Sequence, residues 1–409
     1  MLKLRWQFVD LKNDTEAAER RVLTKKIEAW WQEFQAQSPQ ILAHFSQRTD
    51  WDLPEWMHQN LESIQPGLMW EFGAAVNGQG HRLVITPEKD HHLRPLTREI
   101  LALAPSISGW EFYEYRLSES VQDAVQTVQA RVGRDLSDFR VKPTCGDDNR
   151  IHLTFTAPSI SDPEDESAFG AAFVATETLL GEECLNKWIG AIEASPWPRP
   201  TGLKALFGGR NSEPAHFLPL HRLKETVESL ADSMLDQLPP QPQYVGIENA
   251  SWTMWELTPE QNEDFTEQDD LFVAKSANPK QWQSAHQGPY FYSGRFSRCD
   301  ETFCYLKIDG ADVPAEVRFA ARSEIEDALN AVLIPARLGC VVGGGTGLRY
   351  SYIDLALINI HEALKVVKSL LHARNIPLRS WIQFYDSDLA TEWVGIHDDT
   401  PPPPLPDFS

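Results

Sequence analysis

Cysteine is scarce in this sequence: five residues in 409, at Cys145, Cys184, Cys299, Cys304 and Cys340. The count is odd and no pair has C-x-x-C spacing, which excludes a disulfide framework and leaves no ligand set for a structural zinc. Thiols used this way fit a reducing compartment, so the expected location is cytoplasmic. Long apolar runs are missing as well. None reaches the about 18 residues that cross a bilayer, and residues 1–7 lack the apolar core and cleavage site of a signal peptide. Positive charge is the third shortage. Lys and Arg number 37 against 59 Asp and Glu, a net charge of −22. A polyanion repels polyanions, so neither nucleic acid nor an anionic membrane is expected as a partner.

What is present is ordinary globular material, 42% apolar and 23% charged, in an α+β order. Val22, Leu23, Ile27, Trp30, Trp31 and Phe34 recur at helical spacing, and Leu53, Trp56, Met57 and Leu61 mark a second helix, closing an N-terminal helical pair. Asn77-Gly78 predicts a hairpin between strands at 68–76 and 82–86. A helix at 93–103 and a strand at 110–117 follow.

From that strand the order β-α-β-β-α runs to a long helix whose stripe carries Phe169, Ala172, Phe173, Thr176, Leu180, Cys184, Trp188 and Ile192. The same order recurs near the C-terminus. A strand at 303–308 precedes a helix opened by a Ser323/Glu326 capping box. Strands at 340–342 and 350–358 flank a glycine-rich hairpin. A helix capped by Asn359 and a strand at 380–385 complete β-α-β-β-α-β, a ferredoxin-like plan with two helices on one face of the sheet. The expected architecture is thus a mixed α/β unit followed by a ferredoxin-like domain, the two βαββα stretches forming a tandem. Expected boundaries are 1–195, a Pro/Gly-rich linker and helix at 196–243, an acidic irregular segment at 244–300, the ferredoxin-like domain at 301–397 and a disordered Pro-rich tail at 398–409. The run from Glu248 to Asp270 holds only acidic charges and reads as a solvated loop.

Strand alternation separates the two faces of the C-terminal sheet. Cys304, Leu306, Ile308, Ile353, Leu355, Leu357, Ile382 and Phe384 should meet the helices. The other face then carries Phe303, Tyr305, Lys307, Tyr350, Tyr352, Asp354, Trp381, Gln383 and Tyr385, too much ring surface for bare solvent. Its cover is another part of the chain, a second protomer, or a ligand in a cleft. The plan resembles an RRM, yet the basic–Gly–aromatic pattern is missing and the charge has the wrong sign, so no RNA function follows. Candidate binding residues are Tyr305, Arg349, Tyr350, Tyr352, Asp354, Trp381, Gln383 and Tyr385.

Other motifs carry less. Gly343-Gly344-Gly345-Thr346-Gly347 joins two strands, whereas phosphate-cradling loops run into a helix N-terminus. Asp386 and Ser387 suit a helix cap better than a metal, and no histidine sits in a nucleophile motif. No cofactor or metal is expected. The function expected from the residues is a binding or regulatory module acting through protein contacts, as a homodimer or as an inhibitor or immunity-type protein against a basic partner. The alternative is a hydrolase or transferase with a carboxylate/His site at a domain junction.

Overall fold

A computed structural model describes residues 5–46, 50–162, 164–197, 216–260, 264–311 and 314–406. Its contacts divide the chain into two compact units, one formed by 1–114, 241–285 and 291–409, the other by 115–240 and 286–290. The change-over falls near residue 115, not at 195, and residues 244–285 and 291–300 belong with the C-terminal sheet. Most of the Pro/Gly-rich stretch lies outside the described residues.

In the first unit, α1 (Asp14–Ser46) and α2 (Leu53–Ile64) pack on a sheet in which β1 (Met69–Ala74) pairs antiparallel with β2 (His81–Thr86), which pairs parallel with β3 (Trp110–Tyr113). α3 (Arg94–Ala102) supplies the β2–β3 crossover. The predicted stripe on α1 is real: Ile27, Trp30, Trp31 and Phe34 are buried in that core. Trp31 is also satisfied as a donor, its Nε1 giving to the Ile100 carbonyl at 2.8 Å, as a buried indole favours, whereas the Trp30 Nε1 has no hydrogen-bond partner among the described residues.

The second unit has α4 (Val121–Val132), β4 (Arg140–Cys145), β5 (Ile151–Ala157), α5 (Glu166–Leu180), α6 (Glu182–Trp188), β6 (Ile189–Pro196), β7 (Leu218–Pro219) and α7 (Leu223–Asp236), with strand order β6-β5-β4-β7. The long helix expected through Ile192 is broken. Gly181, at φ +78°, ends α5, and a Cβ there would lie 2.8 Å from the Ser118 amide, so only glycine makes this turn. The chain then turns into β6, the closing strand that helical periodicity hid. Phe169 and Phe173 are 50% and 42% exposed, so that end of the stripe faces solvent. The strand at 110 pairs with β2 instead, so the two stretches do not form a tandem.

The rest of the first unit is one seven-stranded sheet, order β14-β13-β10-β12-β11-β9-β8, built from β8 (Thr253–Glu256), β9 (Leu271–Ser276), β10 (Thr302–Asp309), β11 (Gly339–Gly347), β12 (Tyr350–Leu357), β13 (Ser380–Phe384) and β14 (Trp393–Gly395). α8 (Pro279–Gln287) follows β9; α9 (Ala315–Ala336) and α10 (Ile360–His372) are the crossovers. The central order β13-β10-β12-β11 is antiparallel throughout. α9 begins at Ala315, so Ser323 and Glu326 lie inside it; Glu326 pairs with Lys275 and Arg322 instead of capping. The glycines extend β11 rather than forming a hairpin, and the turn falls at Leu348-Arg349. The tail is partly docked, Trp381 Nε1 donating to the Pro401 carbonyl at 2.5 Å.

Candidate functional site

The alternation assigned the sheet's helix face correctly. Cys304, Leu306, Ile308, Ile353, Leu355, Leu357, Ile382 and Phe384 form one core with Leu329 and Leu333 of α9 and with Leu364, Val367 and Leu371 of α10. The opposite face is where the expected site lies, and it is covered. Tyr305, Tyr350, Tyr352, Trp381, Asp354 and Gln383 are each at most 3% exposed. Their neighbours are Phe265, Leu271, Ala274 and Trp282, with Phe291 and Phe296 over Phe303. The cover comes from the same chain, from the run before β9 with Phe265, from α8 with Trp282, from Phe291 and Phe296, and over Trp381 from Trp393 and the Pro401 carbonyl, so these side chains are buried.

Charge explains why the run before β9 is acidic. The sheet presents Lys307, Arg349 and Arg379, and that run answers them. Asp264 accepts from Arg379 at 2.7 Å and from the Tyr350 hydroxyl at 2.7 Å. Asp270 accepts from the amides of Arg349 and Tyr350, both at 2.8 Å, and from the Tyr352 hydroxyl at 2.5 Å. Lys307 is fully buried, donates to the carbonyls of Phe265 and Glu267, and lies 4.4 Å from the Tyr350 ring. Burial pulls its pKa down to about 8 against the pull of the surrounding carboxylates. The expected solvated loop thus holds for Glu248, Glu256 and Glu260, which are exposed, but not for Asp264, paired with Arg349 and Arg379, or for buried Asp270.

The glycines of β11 make room for this. A Cβ on Gly347 would stand 2.2 Å from the Asp270 carboxyl carbon, and one on Gly343 would stand 2.5 Å from an Asp354 oxygen. Asp270 is held by three donors and cannot yield, so Gly347→Ala should cost about 2–3 kcal/mol of unfolding free energy in urea titrations.

Asp354 lies deeper. It accepts from the Tyr385 hydroxyl at 2.8 Å, while Gln268 donates to Tyr385 at 2.6 Å. Burial raises its pKa to about 7. Asp386 binds the Ser293 amide at 2.7 Å and its hydroxyl, not a helix end as expected, and burial raises it to about 6. Neither carboxylate lines either of the two cavities described below. Arg349 forms a two-pronged pair with Asp309, at 3.0 and 2.9 Å.

A different place in the sheet has the features of a ligand site. A cavity of about 280 Å³ opens between the first turns of α9, the ends of β10 and β12, and the loop after α10. Ile308, Ile325, Ile376 and Pro377 give it apolar walls, Arg318, Arg322, Arg374, Ser351 and Asn375 give it donors, and Asp309 and Glu324 also line it. Asp309 is already held by Arg349, and Arg322 by Glu326 at 3.1 Å and the Thr346 hydroxyl at 2.8 Å. Arg318 is the exception. It is 8% exposed, and its hydrogen bonds reach only the carbonyls of Leu348 and Tyr350, at 3.1 and 3.5 Å. Among the described residues its Nε has no hydrogen-bond partner and no carboxylate lies within ion-pair distance. Burial lowers its pKa, a sign that the site disfavours an unbalanced cation. Its position in the first turn of α9, at the positive end of the helix dipole, adds to that cost. No sequence pattern marks Arg318; only the fold exposes its isolation. A search of family models, of curated proteins and of solved structures found no match to the chain.

Proposed function

We propose that the chain is a binding or regulatory module whose β10-α9-β11-β12-α10-β13 unit, read as a ferredoxin-like domain, holds a small organic acid in the cavity beside Arg318. The observation that carries this reading is a buried guanidinium whose partners among the described residues are carbonyls alone. A buried cation costs several kcal/mol unless an anion compensates it, and the open side of this one is a ligand-sized hollow with aliphatic walls. A carboxylate fits the fork of the guanidinium two-pronged, Ser351 and Asn375 offer further hydrogen bonds, and the ligand's apolar body meets Ile308, Ile325 and Ile376. The reading keeps a binding role but moves it from the aromatic face to the sheet's end.

The test is a thermal-shift and calorimetric screen of branched-chain and aromatic monocarboxylates against the full chain and Arg318→Gln. Saturating ligand at a hundred times its Kd should stabilise the protein by about 2.7 kcal/mol. Arg318→Gln should abolish that gain without loss of the folded baseline. If no acid binds the unaltered chain more tightly than the variant, the reading fails.

A further inference from the structure

Residues 5–8 cross the C-terminal sheet's edge without joining it as a strand. The amides of Trp6, Gln7 and Phe8 all donate to one carboxylate, that of Glu392, at 2.6, 3.1 and 2.9 Å. Glu392 is fully buried. Side chains complete the docking: Arg5 lies 3.7 Å from the Trp393 ring and donates to its carbonyl at 2.8 Å, and Phe8 stacks on Phe384 with centroids 4.7 Å apart. Among the described residues no backbone hydrogen bond ties this segment to β13 or β14, so its main chain rests on a single side chain. The segment lines a second cavity of about 310 Å³, bounded by Gln7 and Phe8, by His361, Leu364 and Lys368 of α10, and by β14.

We infer that residues 5–8 form a releasable strap along this cavity, with Glu392 as its catch. A strand paired in a ladder separates only when many bonds break together, whereas this segment loses its three main-chain bonds when one carboxylate loses its charge or is displaced. Arg5, on the strap, is the charged group that faces Glu392, and it is shared with Glu16 of α1, which pairs with it at 2.5 Å and accepts from the Asp10 amide at 3.0 Å; His361 of α10 meets Phe8, at 5.6 Å between rings, rather than the carboxylate. Burial raises the Glu392 pKa while the three amides and Arg5 pull it down, so release follows acidification. The strap is independent of the Arg318 cavity, and either inference stands without the other.

Hydrogen exchange of the full chain, read at the amides of Trp6, Gln7 and Phe8, tests this. Protection factors at pH 8 should fall by at least about tenfold on lowering the pH to 4, and should already be lost at pH 8 in Glu392→Gln, while amides in the middle of α1 stay protected in both. The α1 amides report whether the variant folds. If that variant unfolds, the pH series on the unaltered chain still decides. Undiminished protection at pH 4, or in a folded Glu392→Gln, overturns the proposal.

Discussion

Asp270→Ala should lower the unfolding free energy by about 3–5 kcal/mol, because it strips a buried carboxylate from three donors that then have no acceptor. Those donors are the Arg349 and Tyr350 amides and the Tyr352 hydroxyl. The loss reaches further than one residue, since Asp270 begins the passage from the acidic run into β9 and fixes where the cover meets the β11–β12 turn. Asp270→Asn keeps one acceptor oxygen and should cost roughly half as much. Denaturant titration of the three proteins measures both effects. A loss below about 1 kcal/mol for the alanine variant would mean that the cover is held by apolar contacts alone.

Stability should also fall as the pH rises from 4 to 7. Asp354, raised to about 7, and Asp386, raised to about 6, keep their protons in the native state over a range in which the unfolded chain has lost them. Their stabilisation is complete below pH 4 and disappears as the pH passes their folded values. The Asp354 shift corresponds to at most about 4 kcal/mol over that window. Lys307, lowered to about 8, acts with the opposite sign, and stability recovers between pH 8 and 10 as its uncharged form is favoured. Asp354→Asn, which still accepts from Tyr385, should flatten the acid limb and be more stable than the unaltered chain at pH 7.5. Thermal melts across pH would show this, and an unchanged slope in the variant would locate the proton uptake elsewhere.

Period-two alternation made the C-terminal sheet legible, and both faces are as the pattern implied. Cys304, Leu306 and Ile308 lie under helices while Tyr305 and Lys307 lie opposite. The aromatic excess signalled a cover, but its source is a long-range matter: the pairing of Asp264 with Arg379 spans 115 residues, and no local pattern encodes such a contact. Helical periodicity misled at Ile189, where Trp188 and Ile192 continue the stripe although Gly181 has already stopped the helix. The Ser323/Glu326 box misled because Glu326 serves Lys275 across the sheet. Arg318 was invisible for a related reason, since a charge becomes conspicuous only when the fold buries it away from carboxylates.

Hydroxyl-radical footprinting of the full chain tests most directly whether the aromatic face is core. If the rest of the chain covers it, Tyr305, Tyr350, Tyr352 and Trp381 should be modified on the order of tenfold more slowly than the half-exposed Trp252 and Tyr290. Equal rates for the two groups would put those rings at the surface and contradict the account.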